Sequence, residues 1–232
     1  MGEQFGVRLG GELVPVTVRR NAQAKRLILR IDQTTGEIKL TLPKHVGNRA
    51  AEKFLHKQTA WIEAERSALT PPRPLGHESM MPYHGQAHQI MFTDTAPRRV
   101  SRNQGKIAVG GPADLAPKRL ENWLRREAKS TLTERAEAHA DTLGVRYNRV
   151  SIGDMKSRWG SCSSRGTLRF SWRLLMAPYA VMDYVAAHEV AHLLEMNHSD
   201  RFWAQVARCV PDHRERRRWL KTEGNALFQL QF

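Results

Sequence analysis

Three histidines and a glutamate lie close together toward the C-terminal end of the chain: His188, Glu189, His192 and His198. Residues four apart stack on one face of a helix, so His188 and His192 can turn two imidazole nitrogens toward a single ion. Asn197 reads as a helix stop that tolerates the left-handed conformation, and Ser199 as the cap of a following helix that carries Phe202 and Trp203. His198 falls in the turn between them. From there it can swing back as a third ligand, which leaves a tetrahedral zinc ion one open position for water. Glu189, adjacent to the first ligand, is placed to take that water's proton while the ion polarises the bond under attack. This is an HExxH motif followed by five residues and a third histidine, and it points to hydrolysis.

The elements around the motif must hold it in place. Pro178 to Met196 reads as a mostly apolar helix carrying Tyr184, Val185, Val190, Ala191 and Leu194 beside the histidines. A long helix is expected over Leu115 to Leu143, with Leu120, Trp123, Leu124, Ala128, Leu132 and Ala136 in register. Tyr147 to Ile152 and Thr167 to Trp172 read as strands, separated by Trp159-Gly160-Ser161-Cys162. Upstream, Glu12 to Arg20, Leu27 to Ile31 and Glu37 to Leu42 alternate as strands, the last two across the turn Thr34-Thr35-Gly36. A helix follows from Asn48 to Leu69. Pro71, Pro72 and Pro74 forbid its continuation and mark a linker. Met80 to Tyr83 and His88 to Thr93 suggest a hairpin turned at Gly85-Gln86, and Lys106 to Val109 closes the strand-rich region before Gly110-Gly111.

The segments Arg158-Trp159-Gly160-Ser161-Cys162-Ser163, with Lys156 and Ser157 before them, Trp172-Arg173-Leu174, His188 to Leu193, Asn197-His198-Ser199 and Phe202-Trp203 together resemble the YgjP-like metal-dependent hydrolases. That family is usually described as zinc metallopeptidases and is related to the SprT-like proteases that act on proteins attached to DNA. The resemblance implies an α+β fold, with an N-terminal strand-rich module over residues 1–111 and a zincin-like catalytic domain over 112–232. The resemblance is strong from about Tyr147 to Gly224 and holds only in outline before that, so the division at 111 rests on the order of strands and helices. The resemblance implies His188, His192 and His198 as zinc ligands and Glu189 as catalytic base. The ligand spacing equals that of the metzincins, but their turn glycine is replaced by Glu195, so the turn must be made differently. In zincins an edge strand beside the cleft pairs with an extended peptide, which makes Trp159, Gly160, Ser161 and Cys162 candidates for substrate binding. Arg158, Arg173, Tyr184 and His213 are near enough in sequence to be considered as stabilisers of an oxyanion.

The whole chain bounds these readings. Its 232 residues allow a real core, and two cysteines, Cys162 and Cys209, are too few for a disulfide framework. With no charged start before an apolar run, and no apolar stretch of about 18 residues, a cytoplasmic protein without a membrane segment is expected. Lysines and arginines number 37 against 23 acids, a net charge of +14. Such a surface suits acidic partners, nucleic acid or nucleotides among them. Three functions are therefore open: a zinc metallopeptidase acting on peptide or protein, a metal-dependent nucleoside triphosphate pyrophosphohydrolase, and a basic nucleic-acid-binding module with a structural zinc.

Overall fold

The computed structural model describes residues 4–32, 35–69, 73–94, 97–155 and 158–232. Thr34 of the expected turn, Pro71 and Pro72 of the expected linker, and Lys156 and Ser157 of the family motif lie outside the described residues. The chain forms two compact units, Met1–Pro71 and Pro72–Phe232, and is α+β throughout.

In the first unit β1 (Gln4–Leu9) and β2 (Glu12–Asn21) form a hairpin turned at Gly10 and Gly11, both at positive φ. β3 (Ile28–Ile31) and β4 (Ile38–Pro43) complete a sheet ordered β1-β2-β4-β3. Alternation does the sorting: Ile38, Leu40 and Leu42 are buried, while Lys39 between them faces out and pairs with Asp32 and Glu37. The helix expected over Asn48 to Leu69 is two helices, α1 (Asn48–Lys57) and α2 (Thr59–Ser67). The break falls at Gln58, where the Thr59 hydroxyl donates back to the His56 carbonyl at 2.9 Å. Ala51, Leu55 and Ile62 close this unit's own core over Phe5, Val7 and Val16.

The second unit begins with β5 (Arg73–Pro74) and a sheet of β6 (Met80–Tyr83), β7 (Gln86–Thr93), β8 (Val100–Asn103) and β9 (Lys106–Gly110), ordered β6-β7-β9-β8. The first hairpin turns at His84-Gly85, both at positive φ, one residue earlier than expected. A boundary at residue 111 is not where the compact units divide. Met81, Tyr83, Ile90, Ile107 and Val109 share one apolar core with Leu120, Leu124 and Leu132 of the long helix, so this sheet folds with the C-terminal part. The division falls instead at the proline-rich segment.

The long helix α3 (Ala116–Leu143) buries Leu120, Leu124, Ala128, Leu132, Ala136 and Ala140, one residue per turn, and ends at Gly144 in the left-handed conformation. Next come β10 (Arg149–Gly153), β11 (Gly160–Cys162) and β12 (Thr167–Ser171), with β12 in the middle and β11 at the edge. Helix α4 (Tyr179–Ala191) is apolar nearly all round, as suits a helix enclosed by its neighbours. α3 is fastened to it by Asp183, whose carboxylate takes hydrogen bonds from Arg135 Nε at 2.6 Å and His139 Nε2 at 2.7 Å. Burial pushes the Asp183 pKa up, but those two bonds outweigh it and hold the acid below its ordinary range. The chain ends with α5 (Asp200–Cys209), α6 (His213–Thr222), α7 (Gly224–Phe228) and β13 (Leu230–Gln231), which pairs in parallel with β5.

Candidate metal centre

Helix α4 places His188 and His192 one turn apart near its C-terminal end, as their spacing requires. The helix stops at Ala191, five residues before the expected Met196. Leu194 and Glu195 both donate their N–H groups to the Ala191 carbonyl, and His192 Nδ1 donates to the Glu195 carbonyl at 3.0 Å. A histidine that uses one ring nitrogen on its own turn replaces the stop expected from Asn197, which is not among the residues at positive φ. It also explains how Glu195 stands where a metzincin has glycine: the carbonyl closes the turn, and the side chain goes outward to Arg201 at 3.2 Å. Asn197 instead accepts from the Ser199 N–H, and Ser199 caps α5 by accepting from Phe202 N.

Those two local bonds deliver His198 to the other pair. His198 Nε2 lies 3.1 Å from His188 Nε2, and one nitrogen from each of the three rings falls within 4.8 Å of the others. Among the described residues no other group of histidine, cysteine or carboxylate side chains converges in this way. Phe202, fully buried, carries all three: its ring centroid is 4.8 Å from His188, 4.5 Å from His192 in a stack, and 4.8 Å from His198. Trp203 touches His188 and His198 from the side and stacks on His213. Arg217 lies over the Trp203 ring, at 4.7 Å from its centroid.

The environment disfavours the charged form of His188 and His198. Burial, and then the neighbouring His192 and His198, push the His188 pKa down to about 3; burial and His192 also lower that of His198. With His192 Nδ1 engaged on a carbonyl, its Nε2 is the nitrogen left for an ion. Tyr184 places its hydroxyl 3.5 Å from His188 Nδ1, behind the ring. Three imidazoles that each turn one nitrogen toward a common point are a donor set that fits zinc.

Glu189 sits beside this point, 5% exposed, with Oε2 buried and without a hydrogen-bond partner among the described residues. Burial pushes its pKa up to about 8, against the pull of Arg158. The edge strand closes over it: a Cβ at Gly160 would lie 2.5 Å from Glu189 Oε1 and 2.6 Å from Cγ. Gly160→Ala must therefore displace the carboxylate, and a misplacement of this size is expected to cost about 10²-fold in kcat. Unchanged metal content and an unchanged rate in that variant would show that the carboxylate position is not critical.

Gly160, Ser161, Cys162, His188, Glu189, His192, Met196 and His198 line one open cleft. Trp159 does not line it. Its ring stacks on Phe228 at 4.3 Å and packs against Gly224, while its carbonyl accepts from Ser171, so it anchors the strand from behind. Cys162 faces the cleft, but burial and the nearby Glu189 push its thiol up to about 11, which leaves it protonated. Of the residues considered for an oxyanion, Arg173 is committed to Asp154 and the Leu230 carbonyl, and His213 to the Trp203 stack. The sequence places Phe202 four residues after His198, on the helix that Ser199 caps, but does not show that its ring meets all three imidazoles.

A helix pair of imidazoles, a third from the next turn and a buried carboxyl at their side are the parts of a metal-dependent hydrolase. The model of the YgjP-like metallopeptidase domain matches residues 25–223, and the chain belongs to that family. No curated protein matches it. Among solved structures it is similar to the crystal structure of the metallopeptidase zymogen of Pyrococcus abyssi abylysin, at 27% identity and a TM-score of 0.36, over 40% of this chain and 95% of that one. No helix among the described residues is long and apolar enough to cross a membrane.

Proposed function

We propose that the protein is a zinc-dependent metallopeptidase in which His188, His192 and His198 hold the ion and Glu189 is the general base. Bound there, zinc would supply Lewis acidity toward a peptide carbonyl and toward water. The observation that carries this reading is the buried Oε2 of Glu189, without a hydrogen-bond partner among the described residues, beside three converging imidazole nitrogens. A desolvated carboxyl with a raised pKa suits proton transfer near neutrality: it takes the proton from the attacking water and returns it to the departing amine nitrogen.

Substrate binding follows from the edge position of β11. Its outer backbone groups have no strand beside them among the described residues, and Gly160 and Ser161 present no bulk to an approaching chain. An extended peptide pairing with this edge would lie along the cleft, with its carbonyl groups passing the histidines. The family assignment favours this bond over a nucleoside triphosphate phosphoanhydride and over a purely structural zinc. The test is a side-by-side screen of unstructured proteins, peptides and nucleoside triphosphates, with and without a chelator. Peptide cleavage that stops on chelation and returns with zinc is the expected result. Turnover of triphosphates without peptide cleavage would overturn the reading in favour of the pyrophosphohydrolase.

A further inference from the structure

Beyond the cleft, the hairpin that joins β11 to β12 forms one wall of a second concavity. Val145, Arg146, Tyr147, Asn148, Ser164, Arg165, Gly166 and Leu193 line it, and it measures about 620 Å³. We propose that this pocket is a binding site for a substrate carboxylate, an aspartate or glutamate side chain on the amino-terminal side of the bond that is cut. The proposal rests on the peptidase reading above and adds to it a charge preference.

Continuity with the cleft comes first. Cys162 and His192 line the cleft, while Ser164 and Leu193, two residues and one residue further on, line the pocket. The two concavities thus succeed one another along both walls. A peptide that pairs antiparallel with Gly160–Cys162 runs opposite to the strand, so its amino-terminal residues leave past Cys162 toward the hairpin. Two residues of extended chain advance by about 7 Å in that direction.

The chemistry of the lining comes second. Arg146 and Arg165 are exposed, and among the described residues neither has an ion-pair partner. Guanidinium groups, the Ser164 hydroxyl and the Asn148 amide offer far more donors than acceptors, the set that a carboxylate requires. Glu137 and Asp141 of α3 act on Tyr147 and raise its pKa after burial does, but they form no ion pair with either arginine.

The scaffold comes third, because it is fixed rather than loose. Ser163 ties the hairpin to itself: its N–H donates to the Thr167 carbonyl at 3.0 Å and its Oγ accepts from Thr167 N at 3.1 Å. Asn148 N donates to the Gly166 carbonyl at 2.8 Å, which joins the hairpin tip to the start of β10. Gly166, at φ +72°, makes the turn that a side chain would strain, and a Cβ there would sit 3.3 Å from Asn148 N. Arg146 and Arg165 thus line one opening whose backbone is a hydrogen-bonded frame.

The test uses fluorescein-labelled peptides of one extended sequence in which Glu, Gln or Lys is placed at each position in turn. Binding is read by anisotropy, and cleavage by kcat/KM, for the full chain and for Arg146→Glu/Arg165→Glu. The wild type is expected to favour Glu over Lys by about tenfold at one or two positions before the cut, mainly in KM and less at high salt. The double variant is expected to reverse that order. Equal Glu-to-Lys ratios in the two proteins would overturn the proposal. So would a preference confined to positions after the cut, or arginine-dependent binding of a single-stranded oligonucleotide by a protein indifferent to peptide charge. Charge-selective binding without cleavage would sink the hydrolytic reading and leave the pocket standing, so the two can fail separately.

Discussion

Glu189→Gln is expected to lower kcat for peptide hydrolysis by about 10²- to 10⁴-fold, the usual contribution of a positioned general base, while metal content stays unchanged. The amide keeps the shape that Gly160 closes over but cannot accept a proton. It also cannot ionise, so the variant loses any buried charge along with the base and should be no less stable than the parent. Elemental analysis and initial rates on the same preparation give the two readouts. A variant that retains a substantial fraction of the parental rate at full metal loading would remove Glu189 from proton transfer. The base would then have to be sought elsewhere; Tyr184, whose hydroxyl lies 3.5 Å from His188 Nδ1, is a poor substitute because burial pushes its pKa up to about 12.

His188→Ala is expected to abolish activity and to weaken metal binding by more than the roughly 10²-fold typical of losing an outer partner of a ligand. His188 is the member of the trio with the most contacts, touching Tyr184, His192, His198, Phe202 and Trp203. Its removal also opens space in the core, so about 2 kcal/mol of stability is expected to go with the metal. His188→Gln, which fills more of that space, separates the two effects: it should recover much of the stability and none of the activity. Metal retained at one ion per chain in both variants would show that the three imidazoles are not the ligand set.

What the sequence could disclose was local. Spacing of four placed two imidazoles on one helix face, and Asn197 and Ser199 announced a turn, because both signals act within a few residues. The stop itself was misplaced, since His192 closes its own turn through a carbonyl and no residue type advertises that bond. The alternation of Ile38, Leu40 and Leu42 marked a strand, whereas the break at Gln58 depends on one threonine hydroxyl inside an otherwise regular helical pattern. Most of what was not legible is long-range. The sheet from Met80 to Gly110 belongs with α3 because of packing across tens of residues, and that packing moves the division between units from Gly111 to the prolines. Trp159, which stood with the substrate-contacting residues by adjacency, turns away from the cleft because Phe228, far along the chain, offers it a stacking face.

The single ring of Phe202 under all three imidazoles has a thermodynamic consequence. Side chains that must be frozen when an ion arrives subtract their rotamer entropy from its affinity, at about 0.5–1.5 kcal/mol each. Here that ordering cost is met during folding, by aromatic packing and by the bonds that set His192 and the Asn197–Ser199 turn. An ion bound by these three histidines would find them preorganised. Its arrival would not have to assemble the polypeptide around it, and its departure would leave a shaped receptor rather than an unfolded chain.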